Sequence, residues 1–187
     1  MLHTIFPIRI AQYHIANGIL DRAICQHLES ADWRTHEDQH EITTDTYTED
    51  FMVGCQAFDH LVSEALKSYL NDLNYTQTHQ ATRTSWAVRY KQGQRTHSHD
   101  HGVSDVSCAY YHRLPGENSG IYFEDTGRQH TRLITHQLGD RHVITPKQGD
   151  LILFPGWLPH GSLPNTHKDY RIVISANFIL NRSHLTR

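Results

Sequence analysis

Cysteine, long apolar runs and clustered positive charge are all scarce in this chain of 187 residues. The three cysteines form no Cys-x-x-Cys pair and are odd in number, which is typical of a reduced, cytoplasmic compartment. No apolar run approaches the roughly 20 residues that cross a bilayer, so we expect no membrane association. The formal net charge is -3 and the basic residues are scattered, so we expect no nucleic-acid partner. The opening segment has no basic lead, and we interpret it as folded structure, not as a signal peptide.

The length suits a single domain over residues 1–187. Its first part, residues 1–83, is predicted to hold one strand and supporting helices. Residues 5–14 read as a strand, and Pro7 indicates that it lies at a sheet edge. Residues 31–50 are polar and aperiodic, which predicts a long loop.

Two helices are predicted in this first part. One begins after Asn17, a plausible N-cap, and carries an apolar stripe at helical spacing. The other carries an unbroken stripe at i, i+3, i+4 and i+7 that starts near Phe58 and ends near Asn74.

The second part, residues 84–180, is rich in short strands punctuated by Gly, Pro, Asn and Asp. The predicted strands are SWAVRY, SCAYYH, GIYFED, TRLITH, HVIT, LILF and YRIVISANFIL. Several short strands at this spacing indicate a β-sandwich or barrel. The fold class expected is therefore mainly β, with the N-terminal helices packed outside a barrel.

Histidine is unusually abundant, at 17 residues, and three alternate in THSHDHGVSD. Residues two apart share one face of a strand, so His99 and His101 can approach a single cation. Two imidazoles suit iron(II), zinc, copper or nickel. The third ligand must come from elsewhere, and His160, after an apolar strand and a Pro-Gly turn, is the best candidate. His97 with His99 is an alternative pair, and a loop bulge could bring in a nearby aspartate, Asp100 or Asp105.

The last predicted strand has two unlike faces. One is apolar, and the other carries Arg171, Val173, Ser175 and Asn177. A polar face on a barrel strand is expected to line something wet or charged. A planar guanidinium binds a carboxylate through two parallel hydrogen bonds, which makes Arg171 a candidate anchor for an acid.

These segments together resemble the iron(II)/2-oxoglutarate-dependent oxygenases related to prolyl 4-hydroxylases. In YKQGQRTHSHDH, Tyr90, Gly93 and His99 match the pattern Tyr-x-x-Gly-x5-His-x-Asp, and His101 stands where that family carries aspartate. GDLILFPGWLPH resembles the second metal-binding strand, and YRIVISANF resembles the Arg-x-x-x-Ser-x-Asn-Phe strand. The similarity is greatest to a little-characterised bacterial and phage group in which HxH often replaces HxD.

The resemblance implies a double-stranded β-helix (a jelly-roll, cupin-like barrel) and a dioxygenase, by default a hydroxylase. It implies iron(II), O2 and the co-substrate 2-oxoglutarate, whose oxidative decarboxylation is coupled to substrate oxidation. It implies His99, His101 and His160 as metal ligands and Arg171 as the anchor of the co-substrate. Further cofactor-binding residues would be Tyr90, Tyr111, Ser175 and Asn177.

Two other functions fit parts of the pattern. A cupin dioxygenase that does not use 2-oxoglutarate also carries Gly-x5-His-x-His, but the glutamate expected after it is absent and Arg171 would be unexplained. A non-catalytic metal-binding β-sandwich would explain the histidines alone. Nothing in the sequence identifies the substrate, which could be a small molecule, an amino acid or a protein side chain. Edge strands would allow a homodimer.

Overall fold

The computed structural model describes residues 7–37, 43–47, 50–75, 81–116, 120–126 and 141–180. The helices are α1 Gly18–Glu29, α2 Phe51–Gly54 and α3 Gln56–Asp72. The strands are β1 Ala11–His14, β2 Arg34–Glu37, β3 Thr43–Tyr47, β4 Ala81–Tyr90, β5 Val106–Arg113, β6 Ile121–Glu124, β7 Arg141–Ile144, β8 Asp150–Pro155, β9 His160–Ser162 and β10 Arg171–Leu180.

The strands form two antiparallel sheets. The larger has the order β1-β8-β5-β10-β4-β3-β2, and the smaller has the order β7-β6-β9. Apolar residues of both sheets pack in one cluster, in which Phe123 of β6 lies 5.1 Å from Phe154 of β8 between ring centroids. Two facing antiparallel sheets with this connectivity form a double-stranded β-helix, which confirms the predicted fold class.

Side chains alternate between the two faces of the central strands, so the larger sheet has an apolar core on each face. On β8, Leu151 and Leu153 pack toward the helices, whereas Ile152 and Phe154 pack between the sheets. Strand β10 divides in the same way, with Ile174 on the helix side. Because successive side chains point to opposite faces of a strand, a strand buried on both faces reads as a continuous apolar run, as LILF does.

The helices begin and end for local reasons. The side chain of Asn17 accepts hydrogen bonds from the N–H groups of Ile19 and Leu20, which confirms it as the N-cap of α1. Helix α3 buries Phe58 and Val62 on its predicted stripe, and the chain turns out of it at Asn74, whose φ is 58°. No helix in the described part of the chain is long and apolar enough to cross a membrane.

Two predictions for the N-terminal part need comment. The first strand is at the sheet edge, as predicted, and spans Ala11–His14; of the expected 5–14, residues 7–10 are not in a strand and residues 5 and 6 lie outside the described residues. The prediction of a loop over residues 31–50 was wrong, because β2 and β3 lie within it. Strand β3 pairs with β4, so this polar segment extends the larger sheet through backbone hydrogen bonds instead of through an apolar pattern.

Candidate active site

Three histidines meet at one end of the space between the sheets. The ligand atoms of His99, His101 and His160 all lie within 4.8 Å of one another, which is close enough for one metal ion. No other group of three or more His, Cys, Asp or Glu residues in the described ranges meets this condition.

The backbone brings these histidines together. His99 and His160 form an isolated antiparallel bridge, in which each N–H donates to the other carbonyl at 2.9 Å. The N–H of His101 donates to the carbonyl of Gly156 at 2.9 Å. The prediction placed the His-x-His pair on a regular strand. The structure instead places it on a short segment whose backbone is hydrogen-bonded to β9 and to the Pro155-Gly156 turn.

Hydrogen bonds orient two of the rings. The Nδ1 of His99 lies 2.8 Å from the carbonyl of His97, and the Nδ1 of His160 lies 2.8 Å from the carbonyl of Leu158. A carbonyl only accepts, so each Nδ1 carries the proton and Nε2 keeps its lone pair. A metal-binding histidine commonly has its other ring nitrogen held in this way.

Burial favours the neutral form of His160 and His101. Burial, with a smaller contribution from the neighbouring histidines, lowers the pKa of His160 to about 3 and the pKa of His101 to about 4. Neutral imidazole is the form that binds a metal. The donor set therefore suits iron(II), although three imidazoles leave its double positive charge uncompensated.

The alternative ligands do not reach this cluster. His97 lines a different cavity, beside Arg95 and Arg141, and its backbone carbonyl lies 2.8 Å from the Nδ1 of His99. Asp100 accepts from the N–H of Gly102 at 2.8 Å, and Asp105 accepts from the N–H of Leu180 at 2.8 Å. Among the described residues, the cluster contains no carboxylate.

Arg171 is completely buried, at 0% exposure, at the start of β10. Its Nη1 donates to the carbonyl of Leu163 at 2.8 Å, and its Nη2 donates to Ser162 Oγ at 3.0 Å. Its Cζ lies 4.1 Å from the centroid of the Tyr90 ring. The Nε has no hydrogen-bond partner within the described ranges.

No carboxylate within the described ranges forms an ion pair with Arg171. Burial lowers the pKa of its guanidinium, and the nearby hydroxyls of Tyr90 and Tyr111 counteract this only in part. A buried charge without a counter-charge is costly. The arrangement is therefore that of a site prepared for an anion.

Arg171 and the histidine cluster line the same cavity of about 210 Å³. The other predicted cofactor-binding residues that line it are Tyr90, Tyr111 and Ser175. Asn177, the remaining one, is not brought to the cavity. Its Oδ1 accepts from the hydroxyl of Ser107 at 2.8 Å, one step further along β10.

Residues that hold Arg171 were missed by the sequence interpretation. Ser162 Oγ accepts from both Arg171 and the N–H of Thr96, and the hydroxyls of Thr96 and Tyr90 lie 2.7 Å apart. The short strand β9 was not predicted. Had it been, its two-residue period would have placed Ser162 on the same side as His160.

Other histidines and Trp157 were also interpreted from sequence. His142 is exposed, as expected, and His130 and His136 lie outside the described residues. His112 was expected to be solvated, but it is buried at 8% exposure against α1. Trp157 is 49% exposed and is not among the residues that line the cavity.

Comparison with known proteins agrees with this architecture. Residues 84–177 match the family described as "Putative 2OG-Fe(II) oxygenase". No curated protein matches the chain. Among solved structures, a Pseudomonas putida prolyl-4-hydroxylase is 16% identical over 93% of this chain and 94% of its own, with a TM-score of 0.66.

Two further structures show the same fold. HygX from Streptomyces hygroscopicus, solved with nickel and 2-oxoglutarate bound, is 11% identical over 91% of this chain and 82% of its own, with a TM-score of 0.62. The α-ketoglutarate-dependent epimerase SnoN from nogalamycin biosynthesis is 12% identical over 91% of this chain and 77% of its own, with a TM-score of 0.65.

The fold and the histidine cluster define a non-heme metal enzyme of the double-stranded β-helix class. The family match covers half of the sequence, and the chain belongs to the 2OG-Fe(II) oxygenase family. It is an oxygenase that uses iron(II), 2-oxoglutarate and O2. Neither a cupin dioxygenase independent of 2-oxoglutarate nor a non-catalytic metal-binding sandwich is favoured.

Proposed function

We propose that this oxygenase holds iron(II) through His99, His101 and His160, binds the distal carboxylate of 2-oxoglutarate through Arg171, and hydroxylates its substrate. The observation that carries the proposal is the buried guanidinium, which lies in the same cavity as the histidine cluster and has no carboxylate partner among the residues that the structure describes.

The size of the cavity and its polar groups support 2-oxoglutarate as the occupant. 2-Oxoglutarate has a carboxylate at one end and a metal-chelating 2-oxo acid at the other. The Nε of Arg171 is free to donate, while Ser162 and Leu163 hold the two Nη atoms. The carboxylate would also neutralise the buried charge. Binding would therefore remove the free-energy cost of burying a guanidinium without a counter-charge.

The protein's own groups position and protect the co-substrate. Tyr90 stacks on the guanidinium and fixes its plane, and its hydroxyl is held by Thr96. Val88, Ile121 and Val173 line the cavity with apolar surface and exclude water. Iron bound at the cluster supplies O2 activation and the oxidative decarboxylation of 2-oxoglutarate to succinate.

The substrate would approach from the side of His99. His99 is the exposed member of the cluster and His160 is the buried one, so the cluster opens to solvent at His99. The edge of the Trp86 ring packs on His101, with 5.8 Å between ring centroids, and forms one border of this opening. The substrate class stays as the sequence left it, a small molecule, an amino acid or a protein side chain. We place the reaction in the cytoplasm, since all three cysteines are free thiols.

The proposal predicts saturable binding and turnover of 2-oxoglutarate. In an anaerobic titration, 2-oxoglutarate should bind the iron-loaded protein with one site per chain. On admission of O2, succinate should form in proportion to the 2-oxoglutarate consumed. A converted substrate should gain one oxygen atom by mass spectrometry. Absence of saturable binding with iron present would refute the assignment of the cavity to 2-oxoglutarate.

Replacement of His97 tests the choice of ligands. We expect His97→Ala to bind iron(II) as the wild type does, because its contribution to His99 is a backbone carbonyl that alanine retains. The matched variant His99→Ala should lose iron binding. Anaerobic iron titration of both variants measures this. Loss of iron in His97→Ala with retention in His99→Ala would reverse the assignment.

A further inference from the structure

A second group of reactive side chains lies on the opposite face of β5 from the active-site cavity. Tyr111 of β5 lines the cavity, and the next residue, His112, points the other way, toward α1. There it meets Cys25 and Asp21. These two are four residues apart on α1 and therefore share one face of the helix.

His112 connects the two α1 residues. Its Nε2 lies 3.7 Å from Cys25 Sγ, within hydrogen-bond distance for sulfur. Its Nδ1 lies 4.0 Å from Asp21 Oδ1. His112 is 8% exposed, and its Nδ1 has no hydrogen-bond partner in the part of the chain that the structure describes. The buried hydroxyl of Tyr110, also on this side of the sheet, likewise has none.

The position of Asp21 selects the tautomer of His112. A proton on Nδ1 faces the carboxylate favourably, whereas a lone pair there would face a negative charge. The proton is therefore favoured on Nδ1, and the lone pair of Nε2 is directed at the thiol. Burial lowers the pKa of His112, Asp21 raises it and Arg113 lowers it further. The ring is thus a neutral base beside a thiol.

The cysteines differ in access to solvent. Cys25 is exposed, whereas Cys55 and Cys108 are buried. Burial raises the pKa of the Cys55 thiol and raises the pKa of the Cys108 thiol to about 12. A reagent in solution would therefore meet Cys25 first. Cys25, His112 and Asp21 do not form a candidate metal site, since their ligand atoms do not converge.

We propose that Cys25 is a nucleophilic thiol that forms mixed disulfides with low-molecular-weight disulfides, with His112 as its base and Asp21 as the group that orients His112. His112 Nε2 takes the thiol proton, and the thiolate attacks one sulfur of the disulfide. A new S–S bond forms as the old one breaks. The departing thiolate takes the proton from His112, so one disulfide replaces another and no further oxidant is needed.

The rate of this exchange tests the proposal. It is measured on the full chain, loaded with iron(II) and 2-oxoglutarate, under anaerobic conditions. The probe is a chromogenic aromatic disulfide that releases a coloured thiolate. The control protein carries Cys25→Ser together with Gln26→Cys. This presents an exposed thiol at the next position of the same helix, away from His112. The test variants are His112→Gln and Asp21→Asn, each with Cys25 intact.

The expected difference follows from the thiolate fraction. At about pH 7 an ordinary thiol of pKa near 8.5 is roughly 3% thiolate, so a base that takes the thiol proton during the attack can raise the rate at most about 30-fold. Partial removal of the thiol proton during the attack gives only part of this factor, so we expect Cys25 to react about tenfold faster than the control. Because neutral His112 takes the proton as the thiol attacks, the rate of Cys25 should depend less on pH between about pH 6 and 8.5 than that of the control.

The two test variants should lower the rate toward that of the control and restore the pH dependence of an ordinary thiol. Asp21 is partly exposed, so Asp21→Asn is expected to fold even if His112→Gln does not. Equal rates for Cys25 and the control thiol would overturn the proposal. So would an unchanged rate and pH profile in a folded His112→Gln or Asp21→Asn protein.

Discussion

Replacement of Arg171 by methionine is expected to remove 2-oxoglutarate binding while leaving the protein folded. The guanidinium is fully buried and has no carboxylate partner in the described part of the chain, so the incoming carboxylate would be its only strong counter-charge. Loss of one partner of a buried charge pair costs about 2–5 kcal/mol, or roughly 30-fold to several thousand-fold in affinity. Isothermal titration with iron-loaded protein measures this change.

The stability of Arg171→Met without ligand is a second test. Binding should be lost in this variant, whereas its stability should not fall. Methionine is apolar and of similar length, so it removes a costly buried charge and gives up the bonds to Leu163 and Ser162 and the contact of the guanidinium with the Tyr90 ring. We expect the Tm without 2-oxoglutarate to be unchanged or higher. The wild type should gain roughly 5–10 °C at a ligand concentration about 100 times Kd, and Arg171→Met should gain nothing.

A second arginine on the same sheet is the matched control. Arg83 of β4 pairs with Asp59 of α3 at 2.9 Å on the helix side of the sheet. Arg83→Met breaks a compensated pair, so it should lower the Tm and leave 2-oxoglutarate affinity unchanged. If Arg171→Met binds 2-oxoglutarate as tightly as the wild type, the carboxylate is held elsewhere.

The faces of β10 illustrate what the sequence could predict. The two-residue period of a strand placed Arg171 and Ser175 opposite Ile174, and the structure has the first two in the cavity and the third against the helices. The histidine cluster was predictable for a related reason. The spacing from Gly93 to His99, and the apolar strand before His160, are local patterns that a single sequence displays.

The interactions that complete the site were not predictable in this way. Ser162 and Leu163 hold Arg171 from a short strand and the loop after it, and nothing in the sequence links them to β10. Strands β2 and β3 were missed because they join the edge of an existing sheet through backbone groups, which any polar sequence can supply. Asn177 shares a face with Arg171, but it lies too far along the strand to reach the cavity.

Replacement of His160 by alanine is expected to abolish iron binding and turnover. His160 is the buried member of the cluster, and the backbone bridge to His99 does not depend on its side chain. Loss of a direct metal ligand should lower the affinity for iron by more than the roughly 10–100-fold that is lost when a residue hydrogen-bonded to a ligand is removed. Anaerobic iron(II) titration and succinate formation measure both effects, and His142→Ala, an exposed histidine on β7, is the matched control.

A second variant separates loss of a ligand from loss of packing. The His160 ring packs on Phe154, with 4.5 Å between ring centroids, so alanine also leaves a cavity and should lower the Tm somewhat. His101→Asp instead keeps a ligand and adds a carboxylate that cancels one of the two positive charges of iron(II). We expect this variant to bind iron(II) at least as tightly as the wild type, because three neutral imidazoles leave both charges uncompensated. If a folded His160→Ala protein binds iron(II) normally, the three histidines do not form the metal site. Weaker iron(II) binding by a folded His101→Asp protein would contradict only the expected benefit of the added carboxylate.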